Sequence, residues 1–203
     1  MRLHQSQHGQ DLWALLALRE PGYFVEFGAY DGIEGSNTLA MEDAGWHGIC
    51  AEPTPGEFDK LRENRRCHCD HSAVTRDGGA DVELTICKHG QLSGIASGFA
   101  DMHKRKAIRD RVMVPALSLG QLLDKFDAPA FIDYLSVDTE CTEPDILEGF
   151  DYRRARFGAI SVEHNSNLQK RGRTRHVLGE NGYLLRRSNN IEDYFTHYAA
   201  TPI

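Results

Sequence analysis

Residues 23–32 read YFVEFGAYDG, and this stretch decides how the rest of the chain is read. Tyr23, Phe24, Val25 and Phe27 are β-branched or aromatic, the composition of a strand packed on both faces. Gly28 and Gly32 follow; with no Cβ they let the backbone turn sharply and come close to a ligand. Dinucleotide loops of the G-x-G-x-x-G kind leave helix amides free for a pyrophosphate. This loop instead carries acid at Glu26 and Asp31, which suits a ligand with a cationic amino group and a sulfonium.

About twenty residues further on, 46–53 (WHGICAEP) reads as a second strand ending in Glu52 and Pro53. An acid at that point is placed to bind both hydroxyls of a ribose. Between the two strands, Ser36, Asn37 and Thr38 supply helix-capping side chains, and Leu39, Met41 and Ala44 follow on a helix that stops at Gly45. The sum is one βαβ unit. Its alternative is a βαβ unit without a ligand, with Glu26 and Glu52 as solvated strand ends.

The 203 residues suit a single domain, 1–203, with a sizeable core. Hydrophobic residues make up 40% and charged residues 26%, ordinary globular values that argue against disorder. A net charge of −7 argues against a general nucleic-acid binder, whose phosphate contacts need a basic surface. No apolar run approaches the roughly 20 residues a membrane span needs. The first ten residues lack the apolar centre of a signal peptide, so a cytoplasmic protein is expected. The five cysteines show no C-x-x-C spacing. Cys67-His68-Cys69 suggests a metal cluster, but strand alternation and the lack of a second ligand pair favour reduced core cysteines.

In order, residues 10–19 form a short amphipathic helix within an N-terminal extension, 1–22. Residues 55–66 form a charged helix, 67–74 a third strand and 82–87 a fourth. Glycines at 90, 94 and 98 mark 88–111 as a loop, expected to be a lid over the site. Residues 112–116 are extended, 117–126 helical and 129–137 (PAFIDYLSV) a buried strand that ends in Asp138-Thr139-Glu140. Thr142 caps a helix running to Gly149. A strand at 157–163, a loop at His164-Asn165-Ser166 and a helix bearing Lys170, Arg171, Arg173 and Arg175 come next. Residues 183–187 and 191–195 close the chain as an antiparallel hairpin.

Alternating strands and helices imply an α/β fold with a mostly parallel sheet covered on both faces. FVEFGAYDGIEGSNT, GWHGICAEPTP, SLGQLL, IDYLSVDTECTEPDIL, ISVEHN and GYLL, in that order, resemble the signatures of FkbM-type methyltransferases. The resemblance implies a Rossmann-like class I fold with a seven-stranded sheet and a C-terminal antiparallel hairpin. It also implies S-adenosylmethionine as cofactor, and O-methylation of a sugar, glycoside or secondary metabolite. By the same resemblance Glu26, Gly28 and Gly32 line the methionine end, with Ala29, Asp31, Asn37 and Thr38 from the same loop. Glu52 holds the ribose, Pro53 shapes the turn after it, and Ser72 and Ala73 lie near the adenine. Cys141 and Pro144 depart from the family's usual glycine and aromatic, beside the expected reaction site.

Methyl transfer to a hydroxyl needs an acceptor held in line and a base, or a metal that lowers the hydroxyl's pKa. Strand ends on the carboxyl side of a parallel sheet converge, which gathers Asp138, Glu140, Glu163 and His164 opposite Glu26. Asp138, Glu140 and His164 are the catalytic candidates, with His164 tuned nearest neutral pH. Asp138, Glu163 and His164 are the candidate ligands of Mg²⁺ or Mn²⁺. The expected partner is a small-molecule or glycosidic acceptor, and the protein a monomer or homodimer. Two other functions fit the same fold. One is an NAD-linked oxidoreductase, disfavoured by Tyr30 in the loop and the lack of a Tyr-x-x-x-Lys pair; the other is a non-catalytic nucleoside-binding protein.

Overall fold

The computed structural model describes residues 5–18, 21–88, 93–95, 108–140 and 142–199. In chain order the elements are α1 (Gln10–Leu18), β1 (Tyr23–Phe27), α2 (Leu39–Asp43), β2 (His47–Ala51), α3 (Pro55–Asn64) and β3 (His68–Asp70). Next come β4 (Ala73–Thr75), β5 (Val82–Cys87), β6 (Gly94–Ile95), β7 (Ile108–Val114), β8 (Ala116–Ser118), α4 (Leu119–Lys125) and β9 (Phe131–Val137). They end with α5 (Glu143–Gly149), β10 (Arg156–Glu163), α6 (Leu168–Glu180), β11 (Tyr183–Ser188) and β12 (Glu192–His197).

Side-chain alternation along β1 builds the two layers of core. Val25 and Phe27 pack with Leu122, Ile146 and Leu178 of α4, α5 and α6. Phe24 packs on the opposite face with Ala14, Met41 and Leu61 of α1, α2 and α3. Seven strands form the central sheet in the order β11-β12-β10-β9-β1-β2-β3. Register is parallel throughout except at β12, which runs antiparallel to both β10 and β11. The strand order reverses between β1 and β9, so a crevice opens beyond their carboxyl ends, where such folds bind ligands.

Several expected elements are redrawn. Residues 67–74 do not form one strand, because the Asp70 carboxylate takes the Ser72 amide at 2.9 Å and bends the chain. β4 then leaves the main sheet and pairs in parallel with β8. The helix expected from 117 starts at Leu119, where Ser118 and Gln121 form a reciprocal capping box. Thr38 and Thr142 precede their helices without capping them: the Thr38 hydroxyl is spent on Glu26 at 2.5 Å, the Thr142 hydroxyl on Thr139 at 3.0 Å. Of the lid expected over 88–111, β6 and the start of β7 pair with the two edges of β5. Residues 89–92 and 96–107 of that lid, and Cys141, lie outside the described residues.

Candidate functional site

A cavity of about 630 Å³ opens at the carboxyl ends of β1, β2, β9 and β10. Its floor is the turn after β1. Gly28 has φ +71°, and a Cβ there would lie 1.9 Å from the Asp138 carbonyl oxygen, so only glycine lets the two strand ends touch. Tyr30 is also left-handed, at φ +50°, and its amide donates to Glu52 Oε2 at 2.9 Å. The Thr54 amide donates to the other oxygen, Oε1, at 2.8 Å. Glu52 is thereby fixed at the end of β2 with acceptor capacity left over, and burial raises its carboxyl above the ordinary value.

Glu26 also reaches the cavity wall, but its charge is spent inside the protein. Its carboxylate accepts from the Asn37 amide at 2.7 Å and the Thr38 hydroxyl at 2.5 Å. Arg65, 5% exposed, lies 3.7 Å from Glu26 and 3.0 Å from Glu42. This buried carboxylate–guanidinium–carboxylate group holds the loop at 32–38 against the sheet. Asn37 is left with its amide nitrogen on Ser136 at 2.8 Å and its carbonyl oxygen buried without a partner, on a residue of the cavity wall.

The acidic candidates divide. Asp138, Glu140 and Glu163 all line the cavity. Burial first, then the charges of Glu163 and Glu140, raise Asp138 well above the carboxylate range. Burial and the Glu140 charge push Glu163 up to about 7, although a hydrogen bond from Asp138 pulls the other way. The pair therefore holds a proton near neutrality, with Asp138 the donor and Glu163 the first to ionise.

His164 does not join them, and here the geometry corrects the sequence. The imidazole is 1% exposed and lies behind the wall, its Nδ1 accepting the Ser166 amide at 3.2 Å and its Nε2 3.6 Å from Asp193. Burial, aided by Arg171 and Arg175, lowers its pKa against the pull of Asp193. A histidine held this way is not placed to take a proton from a ligand in the cavity. The acid that completes a three-carboxylate group with Asp138 and Glu163 is Glu143, with donor atoms within 4.8 Å of one another. Oxygen donors of this kind suit Mg²⁺ or Mn²⁺. The Lys170 ammonium already lies 3.1 Å from Glu143, however, and supplies a cation to the group.

Of the other predicted residues, Ala29, Pro53, Ser72 and Ala73 line the cavity with Gly28 and Glu52. Asp31, Gly32 and Thr38 stand behind it; Asp31 accepts the amides of Ile33 and Glu34, each at 2.8 Å, and braces the loop. The basic face of α6 is tied internally, Arg171 and Arg175 to Asp193 and Arg173 to Asp145 and Glu148. Sequence reasoning missed two parts of the wall: Gln7, His8 and Gln10 at the start of α1, and Ile191 and Glu192 before and in β12. Nothing local marks them, because long-range pairings place them: the Ser6–Gly35 bridge sets the segment before α1, and the antiparallel β12 sets Ile191 and Glu192.

A sequence profile described as the methyltransferase FkbM domain matches residues 26–196. The chain belongs to the FkbM methyltransferase family. Among solved structures, it is similar to precorrin-6y C5,15-methyltransferase from Geobacter metallireducens at 13% identity and a TM-score of 0.53, over 97% of this chain and 90% of that one. It is also similar to TrmK of M. capricolum in complex with S-adenosylhomocysteine, at 10% identity and a TM-score of 0.47, over 96% and 70%. No curated protein sequence matches it. The FkbM family and the class I fold together support S-adenosylmethionine as the methyl donor. Among the described residues no helix is long and apolar enough to cross a membrane.

Proposed function

We propose that this FkbM methyltransferase transfers a methyl group to a hydroxyl of a sugar, glycoside or related small molecule, with Glu163 as the general base. The observation that carries this reading is the Asp138–Glu163 pair, two neighbouring carboxyls at the strand ends that face the cavity, both held above the carboxylate range by burial and by nearby acids. A base with a pKa near the working pH combines a useful ionised fraction with enough basicity to take an alcohol proton. Asp138 keeps its proton and donates to Glu163, which aims the ionised carboxylate.

The cofactor fits the chain on two observations. Glu52 stands at the end of β2 with acceptor capacity to spare, suited to ribose hydroxyls, and the unpartnered Asn37 carbonyl offers an acceptor to the amino group at the methionine end. Ser72 and Ala73 would flank the adenine. When bound, S-adenosylmethionine supplies an activated methyl group that needs no further electrophilic help. What remains for the protein is to hold the acceptor hydroxyl in line, exclude water and remove one proton.

S-Adenosylhomocysteine should raise the melting temperature and NAD should not. With S-adenosylmethionine and candidate hydroxyl acceptors, product mass should increase by one methyl group. The rate should rise with pH through about 7, as Glu163 ionises, and then level. Glu163→Gln should lower the rate by about 10²–10⁴ while S-adenosylhomocysteine binding is spared. Full activity in that variant removes Glu163 as the base. The carboxylates of Asp138, Glu143 and Glu163 favour one second reading, a metal-assisted route. It predicts loss of activity with a chelator and recovery with Mg²⁺ or Mn²⁺, whereas the base route is indifferent to both.

A further inference from the structure

The polar groups left unused by this chemistry gather where the two ends of the chain meet. β12 begins at Glu192, in register directly opposite Glu163 of β10. Glu192 is 2% exposed and lines the same cavity. Its Oε1 accepts from the side-chain amide of Gln10 on α1, and its Oε2 has no hydrogen-bond partner. The Tyr194 hydroxyl is within hydrogen-bonding reach of the carboxyl, but its one proton is directed to the His8 carbonyl at 3.3 Å. The backbone of Glu192 is fixed at both groups: its amide donates to Asn189 Oδ1 at 2.7 Å, and its carbonyl accepts the Asn189 amide at 2.9 Å.

A buried carboxyl with one oxygen unmatched has given up water without replacement. A second carboxyl directly across the strand adds like-charge repulsion. Nothing in the packing of β12 requires either, and a hydrogen-bond donor arriving from the cavity relieves the first. Around the opening stand Asp138, Glu140 and Glu163, while Lys170 is committed to Glu143. An anionic ligand is therefore disfavoured. Acceptors thus dominate the opening, and the Gln7 side-chain amide adds donors as well. A hydroxyl matches that mixture, being donor and acceptor at once, whereas an ammonium only donates.

We propose that Glu192 positions the methyl acceptor: its Oε2 accepts a hydrogen bond from a second hydroxyl of a neutral polyhydroxylated acceptor, beside the hydroxyl facing Glu163, and Gln10 aims it. This rests on the methyl-transfer reading above and narrows it to neutral sugars and polyols. Glu192 is a positioning residue, since it takes no part in the proton transfer.

The test uses the full chain saturated with S-adenosylhomocysteine, with a panel of neutral methyl hexosides and the matching uronates and aminodeoxy sugars as probes. Binding is read by ligand-observed NMR and calorimetry, for wild type, Glu192→Gln and Gln10→Leu. The neutral hexosides should bind the wild type in preference to both charged sets. Glu192→Gln should weaken that binding by about tenfold or more, the loss carried by a charge-assisted hydrogen bond, with S-adenosylhomocysteine affinity unchanged. Gln10→Leu should weaken the same probes in the same direction. Unchanged hexoside affinity in Glu192→Gln overturns the proposal. So does an equal loss of S-adenosylhomocysteine, which would place Glu192 in the cofactor subsite, and so does preference for uronates or amino sugars, or no hexoside binding at all. A wild type that binds hexosides through Glu192 but ignores S-adenosylhomocysteine supports the subsite and sinks the methyl-transfer reading instead.

Discussion

Glu52 accepts two backbone amides, from Tyr30 and Thr54, before any ligand arrives, so its removal has a local and a functional effect. Glu52→Ala should weaken S-adenosylmethionine about tenfold or more, since charge-assisted hydrogen bonds contribute roughly 1.5–3 kcal/mol. Unchanged affinity by calorimetry in a folded variant would remove Glu52 from the cofactor site. Gly28→Ala tests the floor of the cavity. Its Cβ would overlap the Asp138 carbonyl and sit at a φ that alanine resists, so a loss of about 1–3 kcal/mol in denaturant unfolding is expected, with cofactor affinity falling too. At this scale much could be read from the chain. A glycine after an apolar strand and an acid ending the next strand have mechanical reasons that are local. His164 shows where that stops: its neighbours in sequence suggest a base, but Asp193 from another strand fixes the ring, and burial with the charges of Arg171 and Arg175 lowers its pKa.

Among the elements, the loop between β1 and α2 depends on Arg65, which comes from just beyond α3 and reaches Glu26, Glu42, the Ser36 hydroxyl at 3.1 Å and the Thr38 hydroxyl at 2.9 Å. Replacing one member of a buried ion group leaves uncompensated charge. Arg65→Met should therefore cost about 3–5 kcal/mol in chemical denaturation. A cost under about 1 kcal/mol would mean that water enters the cluster. None of this was legible, because Arg65 is one of several charges in a stretch that reads simply as a charged helix. The same holds for β4 and β8, which pair Ala73 with Ala116 across a long sequence interval. In the central sheet β1, β9 and β10 were the most legible, because each is a β-branched or aromatic run bounded by turn residues, and alternation with helices leaves few topologies. The pairings that departed from that frame depend on contacts a local pattern does not encode.

For the molecule as a whole, the carboxyls at the crevice couple function to stability. Asp138 and Glu163 titrate above their unfolded values, so from about pH 4.3 up to about 7 the native state holds more protons than the unfolded one. Stability is fully present below that window and falls as pH rises through it. Thermal melts between pH 5 and 8 should show the decline, and Glu163→Gln should flatten it; a flat wild-type profile would refute the assignment of raised carboxyls. Ionisation of Glu163 thus costs stability over the same range in which the proposed base would become active. The position of β12 has another consequence, in the order of assembly. The strand latest in sequence among the described residues is an interior one, lying between β10 and β11, and its first residue meets Gln10 across a separation of 182 residues. Until residues 192–197 are seated, β10 and β11 each present an open edge, and the wall of the cavity has a gap. Ile160 and Val162 of β10 and Leu184 and Leu185 of β11 lie along those edges. Unpaired strand edges of this kind recruit other chains. A chain in which β12 is displaced is therefore prone to associate with its neighbours, and the wall of the cavity closes only when that strand is seated.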